Sequence, residues 1–346
     1  MISEEDLEKF KKHLDSSKRP LFLFDDDADG TSSFVLLDKY LDGRAFGVCV
    51  KGSPEVDASY TVRIPEFRSD KVFILDKPLL SEDFVRSVKI PIIWLDHHPV
   101  QDVRGVHYFN PRKNDETNYS PTSKWAYEAV PNKDYLWIAM VGMVGDWYLE
   151  EKYQKEFRKK HPTLMEKDVK TPEQALFETK LGKIVKIINF NLLGRFGDTM
   201  RSVKAYTEIK DPEEILEGKT DASQQLLSEY EKVNELYEQE KNKISFKEDD
   251  EVIIHRYSTL NYSFTSELSN EVLYENPDKT VIIARESKDR IIMSLRSKKK
   301  IDDALQSALR LFSDADGGGH ENACGASVKI HDFSDFIRVF KSEISS

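Results

Sequence analysis

Short apolar runs alternate with amphipathic stretches in the first half of the chain. Runs of strand length stand at residues 21–24, 47–50, 72–75 and 90–95. Most of them are followed by a polar turn and then by apolar residues at helical spacing, as in residues 81–88. Because a parallel strand that is buried on both faces needs a nearly continuous apolar sequence, the alternation predicts a parallel sheet with helices on both faces.

The middle of the chain has the pattern of helices. Residues 135–144 form an apolar stretch of helix length, and residues 150–181 are charged, with interruptions expected at Pro162 and Pro172. Between residues 212 and 246, apolar positions recur at helical spacing among many charges. This last pattern predicts one long, half-exposed helix that connects two domains.

The pattern changes once more after residue 246. Strands are predicted at 252–254, 280–283 and 291–293, and helices at 301–312 and 333–340. The sequence therefore predicts an α/β protein in which a long connector helix joins a larger parallel-sheet domain to a smaller C-terminal α/β domain. The predicted limits are residues 1–200 for the first domain, 201–246 for the connector and 247–346 for the second domain.

Composition narrows the class of protein. The chain has 346 residues, of which 39% are hydrophobic, and its first twenty residues are charged and amphipathic rather than signal-like. We therefore expect a cytoplasmic protein without membrane association, in which Cys49 and Cys324 are reduced thiols. The net charge of −11 argues against a broad basic surface for long duplex nucleic acid. It leaves open a local phosphate site in which metal ions supply the positive charge.

A dense acidic motif, DDDADG at residues 25–30, follows the first predicted strand directly. Four carboxylates within five residues repel one another unless cations lie among them. The carboxyl end of a strand in an open α/β sheet is also where ligands bind. Taken alone, the motif fits equally well with an Asp-rich turn that caps the next helix.

Two further predicted strands end in side chains of the same kind. Asp76 follows the run at 72–75, and Asp96, His97 and His98 follow the run at 90–95. If these strands are parallel neighbours, their polar ends and the first acidic motif converge on one edge of the sheet. Each strand end alone could be an ordinary turn, but three together favour a site for Mn²⁺ or a related ion, which binds carboxylate and imidazole ligands.

The order and spacing of these residues resemble the DHH phosphoesterase superfamily, named for the triplet at residues 96–98. Asp146, which alone would be an ordinary helix-end residue, matches a further acid of that family. Residues 317–325 read GGGHENACG and resemble the GGGHxxAxG signature of the DHH-associated C-terminal domain, and residues 294–297 fit a strand of that domain. The resemblance covers both halves of the chain and includes RecJ-like and nanoRNase-like members.

The resemblance implies two Mn²⁺ or Mg²⁺ ions in each active site. The residues that match metal ligands of the family are Asp25, Asp27, Asp29, Asp76, His97 and Asp146. The residues that match its catalytic positions are Asp76, Asp96 and His98. In this pattern Asp76 would hold both ions, and His98 would face the scissile phosphate.

The two ions would have different ligands in this pattern. The first would take Asp27, and the second would take Asp29, His97 and Asp146. Asp25 precedes these acids and would either bind the first ion or contact one of its ligands. The chain departs from pyrophosphatase-like and nanoRNase-like members at Leu23, where they carry a histidine four residues before the first ligand acid. The first motif is therefore closer to the RecJ-like pattern.

The C-terminal motif implies a substrate-binding surface. Arg296 can offer a planar guanidinium fork to a phosphate, and His320 with the backbone N–H groups of Gly317, Gly318 and Gly319 can line a small anion site. Glycines let the main chain come close to a ligand, although a flexible loop is the plainer interpretation. Lys298, Lys299 and Lys300 could guide a polyanion, or they could form a solvated charged stretch.

The substrate expected from the resemblance is short single-stranded RNA or DNA. No additional OB-fold platform is evident, which disfavours processive grip on long strands. A cyclic or linear dinucleotide is the alternative, and inorganic pyrophosphate is a more distant one. A nucleic-acid-binding scaffold without activity is a further alternative, against which the intact set of ligand residues argues. A homodimer is compatible with the sequence.

Overall fold

A computed structural model of the chain describes residues 1–258 and 262–344. The chain divides into two compact units, Met1–Glu231 and Lys232–Ser346. The strands of the first unit are β1 (Pro20–Asp25), β2 (Phe46–Val50), β3 (Glu55–Val56), β4 (Lys71–Leu75), β5 (Leu79–Leu80), β6 (Ile92–Leu95) and β7 (His107–Phe109). Its helices are α1 (Glu4–Asp15), α2 (Ala28–Tyr40), α3 (Arg63–Phe67), α4 (Glu82–Ser87), α5 (Thr122–Ala129), α6 (Leu136–Gly145), α7 (Glu151–Lys160), α8 (Pro172–Glu178), α9 (Lys180–Leu192), α10 (Phe196–Glu208) and α11 (Pro212–Glu217).

The main sheet of the first unit is parallel throughout. Its strand order is β2-β1-β4-β6-β7, and every neighbouring pair runs in the same direction. From β1 the chain goes to β2 on one side and later to β4 on the other side, so β1 and β4 are the strands at which the connections diverge. Ligands of open α/β sheets bind at such a point, outside the carboxyl ends of the strands.

Both faces of this sheet are covered. Alternate residues of the strands, such as Leu21 and Leu23, belong to a buried cluster on one face. On the other face Phe24 stacks on Phe34 of α2 with ring centroids 4.6 Å apart. Strand β6 begins only after Pro91, which has no N–H for the ladder, so it is shorter than the apolar run that predicted it. The predicted parallel sheet with helices on both faces is confirmed.

The second unit has a mixed sheet. Its strands are β8 (Val252–Tyr257), β9 (Thr280–Ser287), β10 (Arg290–Ser297), β11 (Asp316–His320) and β12 (Ala323–Lys329). Helix α12 (Asp221–Lys241) contains the division between the units, and it is followed by α13 (Thr265–Glu275), α14 (Asp302–Leu309) and α15 (Phe333–Ile344). The strand order is β11-β12-β10-β9-β8, with β8 parallel to β9 and the other pairs antiparallel. Apolar residues of α14 and α15 pack with this sheet in one buried cluster.

The long helix predicted between residues 212 and 246 is confirmed as α12, which begins at Asp221. The first residues of that segment form the separate short helix α11, which ends at Gly218, whose φ of +61° is the left-handed conformation that ends helices. The domain limits at residues 200 and 246 stay a prediction. Both cysteines are buried and free, and no helix within residues 1–258 and 262–344 is long and apolar enough to cross a membrane.

Candidate metal centre

The first acidic motif lies at the junction of β1 and α2. Asp25 is the last residue of β1, and Asp27 caps α2 by accepting the Gly30 N–H at 2.9 Å. A Cβ at Gly30 would be 2.7 Å from the backbone nitrogen of Asp25. The missing side chain therefore lets the first turn of α2 fold back onto the strand end, which keeps the acids of the strand and those of the helix together.

Asp29 points from the first turn of α2 to the N-terminus of α5. Its two carboxylate oxygens accept the backbone N–H groups of Thr122 at 2.7 Å and Ser123 at 2.8 Å. These N–H groups belong to the first turn of α5 and have no partner within their own helix. The two fixed donors and the positive end of the helix dipole hold this carboxylate in place, although it is almost completely buried.

Asp76 follows β4, the other strand at the point where the connections diverge. Its φ is +59°, a left-handed conformation that is strained for a residue with a side chain and that recurs at functional sites. The backbone N–H of Asp76 donates to the Leu95 carbonyl at 3.0 Å, and its Oδ1 accepts the Thr122 hydroxyl at 3.0 Å. The buried carboxylate is therefore fixed from two sides.

The triplet after β6 divides its side chains between two environments. Nε2 of His97 lies 3.2 Å from Oδ1 of Asp76 and 3.6 Å from Oδ2 of Asp146. Nδ1 of His98 lies 2.7 Å from Oδ1 of Asp96, while it is 3.9 Å from Asp76. His97 thus joins the acids of the other strand ends, and Asp96 orients His98.

Asp96 also has partners that its sequence position did not indicate. Its Oδ2 accepts hydrogen bonds from the Tyr108 hydroxyl, from Nδ2 of Asn110 and from the backbone N–H of His98, each at 3.1 Å. Tyr108 and Asn110 lie on and just after β7, a strand that the apolar pattern did not predict. The completely buried Asp96 carboxylate is thereby saturated with donors, so it serves to hold His98 in place.

Asp146 is brought to the same edge by α6. It caps the C-terminus of this buried apolar helix, and its neighbour Gly142 lies against α5. A Cβ at Gly142 would be 2.4 Å from Oγ of Ser123 and 3.1 Å from Oδ1 of Asp29. The close approach of α6 to α5 therefore requires a glycine, and it places Asp146 beside His97 and Asp29.

The predicted ligands form overlapping groups whose ligand atoms lie within 4.8 Å of one another. One group contains Asp29, His97 and Asp146, a second contains Asp25, Asp27 and Asp76, and a third joins Asp76 to both histidines of the triplet. All six residues that match metal ligands of the family occur in these groups.

The electrostatics of the ion-free site are unfavourable. Crowding by the surrounding protein, together with the charges of Asp25 and Asp29, raises the pKa of Asp27 to about 8, although the residue is still exposed to solvent on one side. Burial raises the pKa of Asp146 to about 7, and the pKa of Asp76 is also raised, first by burial and then by the neighbouring carboxylates. Burial alone would lower the pKa of His97. The negative charges of Asp146 and Asp29 have the larger combined effect, so the pKa of His97 is raised.

These residues fit divalent cations. The donor set combines carboxylate oxygens with one imidazole, as Mn²⁺ and related ions prefer. The raised pKa values show that the ionised carboxylates need positive charge beside them. Nδ1 of His97 is buried and has no hydrogen-bond partner among residues 1–258 and 262–344, while Nε2 faces the acids and is positioned to bind an ion.

Two residues near the site escaped the sequence analysis. Lys77, directly after Asp76, is 1% exposed and donates to Oδ1 of Asp25 at 2.7 Å. Trp147, directly after Asp146, is 40% exposed and has a φ of +56°. Their adjacency to two ligand acids was the available signal, but burial of the first side chain and exposure of the second depend on the tertiary fold.

The residues of the second predicted site lie in the second unit. Nε of Arg296 donates to Asn270 at 2.7 Å, and its Nη1 donates to the carbonyls of Leu295 and Cys324. Nη2 has no hydrogen bond within the described ranges 1–258 and 262–344 and can still donate to a ligand.

The three consecutive glycines lie in edge strand β11, not in a loop, and His320 ends this strand with its side chain exposed. A Cβ on Gly317 or Gly319 would be 2.6 Å or 2.4 Å from a carbonyl oxygen of β12, whereas Gly318 faces open space. Two of the three glycines therefore serve the close pairing of β11 with β12, and the third keeps the edge of the sheet accessible.

Comparison with known proteins agrees with this architecture. Residues 249–346 match the DHHA1 domain family. RecJ from Thermus thermophilus in complex with Mn²⁺ has a TM-score of 0.71 at 16% identity, over 100% of this chain and 56% of that one. A second structure, exonuclease RecJ bound to manganese, has a TM-score of 0.66 at 15% identity, over 99% of this chain and 94% of that one.

A third relative has a different described activity. The pGpG-specific phosphodiesterase PggH from Vibrio cholerae has a TM-score of 0.53 at 12% identity, over 95% of this chain and 99% of that one. No curated protein matches the sequence. This chain spans little more than half the length of the Thermus RecJ chain.

The parallel sheet with its acidic strand ends and the separate C-terminal domain define an α/β fold of the RecJ type, whose strand-end residues could hold metal ions. Residues 249–346 thus match the DHHA1 domain family, and the fold of the whole chain is similar to that of RecJ, in line with the resemblance of the sequence motifs.

Proposed function

We propose that this protein is a divalent-metal-dependent phosphodiesterase that hydrolyses short single-stranded oligonucleotides. The observation that carries the proposal is the joint approach of Asp29, His97 and Asp146 on one side and of Asp25, Asp27 and Asp76 on the other. Carboxylates with raised pKa values at a strand-end crevice are a costly arrangement, and cations remove that cost. The described activities of RecJ and PggH, both phosphoesterases, support the same reaction class.

In this proposal the residues hold two Mn²⁺ or Mg²⁺ ions. Asp29, His97 and Asp146 would hold one ion and Asp25 and Asp27 the other, and Asp76 would be available to both because it lies close to both groups. When bound, such ions polarise the phosphate and lower the pKa of a water molecule, so no protein nucleophile is needed.

His98 is the residue positioned to handle a proton or to donate to the phosphate. The Asp96 carboxylate at 2.7 Å fixes the Nδ1–H tautomer or the imidazolium form. Nε2 is then the atom that faces a substrate oxygen. The hydrogen bonds to Asp96 hold this carboxylate, and with it the imidazole of His98, in one orientation, which lowers the entropy cost of reaching the reactive geometry.

A nucleotide substrate is supported by Trp147 and by the second unit. An exposed indole next to a metal-ligand position offers a stacking surface for a base, and stacking is the sequence-tolerant way to bind single strands. In the second unit, Arg296 offers Nη2 to a phosphate, and Gly318 leaves the edge of β11 open beside His320. We assign Arg296, His320 and Gly318 to substrate binding, with Gly317 and Gly319 holding the edge strand in place through their close pairing with β12.

The second candidate is a linear- or cyclic-dinucleotide phosphodiesterase. It is favoured by the match to PggH, which extends over 95% of this chain and 99% of that enzyme. The two candidates share the metal centre and differ only in the length of the nucleotide that is held.

Hydrolysis of labelled RNA and DNA oligomers of graded length, and of cyclic and linear dinucleotides, tests the proposal. The assay compares wild type with Asp76→Asn in the presence of Mn²⁺. Asp26→Asn is the matched control, because Asp26 lies in the same acidic turn but belongs to none of the ligand groups within residues 1–258 and 262–344. We expect loss of activity in the first variant and near-wild-type activity in the control. Cleavage of dinucleotides alone would select the second candidate. If the protein hydrolyses none of these substrates, the remaining candidate is a nucleic-acid-binding scaffold without activity.

A further inference from the structure

A lysine is buried inside the acidic cluster. Lys77 follows Asp76 in the turn after β4, and only 1% of it is exposed. Lysine is almost never buried to this degree unless its ammonium is paired, because the desolvation of an unpaired charge is expensive. The question is therefore which groups hold this ammonium and what it does to the ions beside it.

Both ends of Lys77 are fixed. Its Nζ donates to Oδ1 of Asp25 at 2.7 Å and to the carbonyl oxygen of Ser53. Its backbone carbonyl accepts the Nε1–H of the buried Trp94 at 2.9 Å. The ammonium is thus a resident part of the strand-end crevice and not a surface charge that happens to point inward.

The ammonium acts on one ligand group only. Oδ1 of Asp25 accepts both Lys77 Nζ and the Asp26 N–H, the latter at 2.9 Å, so only Oδ2 remains for an ion. Asp25 belongs to the group with Asp27 and Asp76.

The other ligand group has no such partner. Within residues 1–258 and 262–344, neither Asp29 nor Asp146 forms an ion pair with a lysine or arginine, and their charged neighbour is His97. The two ion positions therefore differ by one fixed positive charge.

We propose that Lys77 is a built-in cation that makes the two metal positions unequal. The position of Asp29, His97 and Asp146 binds its ion tightly, whereas the position of Asp25 and Asp27 binds its ion weakly and exchanges it. A fixed ammonium repels a divalent ion held by the same carboxylate, and such repulsion is strong at a separation of a few ångströms in a half-buried site. It also supplies part of the positive charge that the acids need when the weak ion is absent.

This inference rests on the proposed function, since it concerns the ions that the function requires. It makes Lys77 a residue that sets metal affinity and not one that touches the substrate. Occupancy of the weak position, and with it any activity that needs both ions, would follow the free Mn²⁺ concentration.

Metal binding tests the inference without reference to hydrolysis. Mn²⁺ is titrated into metal-free wild type, Lys77→Met and Lys51→Met, with calorimetry for the heat and electron paramagnetic resonance for free Mn²⁺. Lys51 is the matched control, because it lies 3.8 Å from Asp26 at the end of β2 and does not contact Asp25. Circular dichroism verifies that each variant is folded.

We expect wild type to bind one ion at least roughly tenfold more tightly than the other. Lys77→Met should tighten the weak ion by roughly tenfold or more and leave the tight ion almost unchanged. Lys51→Met should match wild type. Two equally tight ions in wild type, or two unchanged affinities in a folded Lys77→Met, would overturn the inference.

A second variant covers the case in which Lys77→Met does not fold. Asp25→Asn keeps Lys77 and removes the negative charge of the carboxylate that lies between the Lys77 ammonium and the weakly bound ion. We expect this variant to weaken only the weak ion, and equal weakening of both ions would overturn the inference. If wild type binds no Mn²⁺ at all, the proposed function itself fails, which is a different result from two equivalent ions.

Discussion

Replacement of Asp146 by asparagine should stabilise the metal-free protein and reduce its stabilisation by metal. The substitution keeps the size of the side chain and removes its charge. In the fold, burial and the Asp29 carboxylate raise the pKa of Asp146 to about 7 from an ordinary 3.8, even though His97 lowers it. The folded protein therefore holds this proton more tightly than the unfolded chain does.

The sign of the pH dependence follows from this difference. A carboxyl group whose pKa is raised by folding stabilises the folded protein fully at pH values below its pKa in the unfolded chain. This contribution is lost as the pH rises to the pKa in the folded protein, here from about 4 to about 7. A difference of about 3 pKa units corresponds to about 4 kcal/mol at pH 8. Because 30% of the side chain is exposed, solvent screening reduces this to about 2 kcal/mol.

The assay is thermal unfolding at pH 4 and pH 8, in EDTA and in Mn²⁺. In EDTA at pH 8, we expect Asp146→Asn to be more stable than wild type by about 2 kcal/mol, and at pH 4 we expect the two to be equal. In Mn²⁺ at pH 8 the order should reverse, because wild type gains the free energy of ion binding and the variant loses a ligand. A variant that is less stable than wild type in EDTA at pH 8, or that gains as much from Mn²⁺, would refute the reasoning.

Three further substitutions separate the roles of individual residues. His98→Ala should lower kcat on a short oligonucleotide by roughly a hundredfold or more while Mn²⁺ affinity changes little; an equal loss of Mn²⁺ affinity would identify His98 as a ligand instead. Trp147→Ala should raise KM by roughly tenfold with little effect on kcat, whereas Trp147→Phe should retain most of the binding; an unchanged KM in the alanine variant would exclude stacking. Gly142→Ala should destabilise the protein by about 2 kcal/mol in chemical denaturation and weaken Mn²⁺ binding, because the new Cβ would be 2.4 Å from Ser123 Oγ; wild-type stability would show that α6 can shift without cost.

Much of the candidate metal centre could be predicted because most of its acidic residues and histidines directly follow strands. The apolar runs before Asp25, Asp76 and Asp96 identified buried parallel strands, and parallel strands bring their carboxyl ends to one edge. The convergence of acids that are far apart in sequence follows from this rule alone. The resemblance to a known superfamily added Asp146, which lies at the end of a helix and has no strand to identify it.

The contacts that tune the site could not be predicted in the same way. Lys77 has a buried ammonium only because β1 and β4 are neighbours, and Asp96 has Tyr108 and Asn110 as donors only because β7 lies beside β6 in the sheet. These are contacts between distant residues, and no local pattern encodes them. The break at Gly218 had a local signal, a helix-ending glycine, which the strong helical periodicity on both sides concealed.

The C-terminal glycines illustrate a second limit of sequence reasoning. Three consecutive glycines are typical of loops, yet here they form strand β11, because two of them allow the backbone of β12 to approach closely. The requirement is one of space between two strands, and it becomes visible only when the partner strand is known. The proposed role of Gly318 in substrate binding depends on its position on the open side of that strand.

The most direct test is a crystal structure of the protein soaked in Mn²⁺, with anomalous diffraction recorded at the manganese edge. We predict an anomalous peak within coordination distance of Asp29, Asp76, His97 and Asp146, and a weaker peak beside Asp25 and Asp27. A saturating soak that leaves no peak at these carboxylates, with the strand ends in the positions described above, would contradict the assignment of this edge as a metal centre.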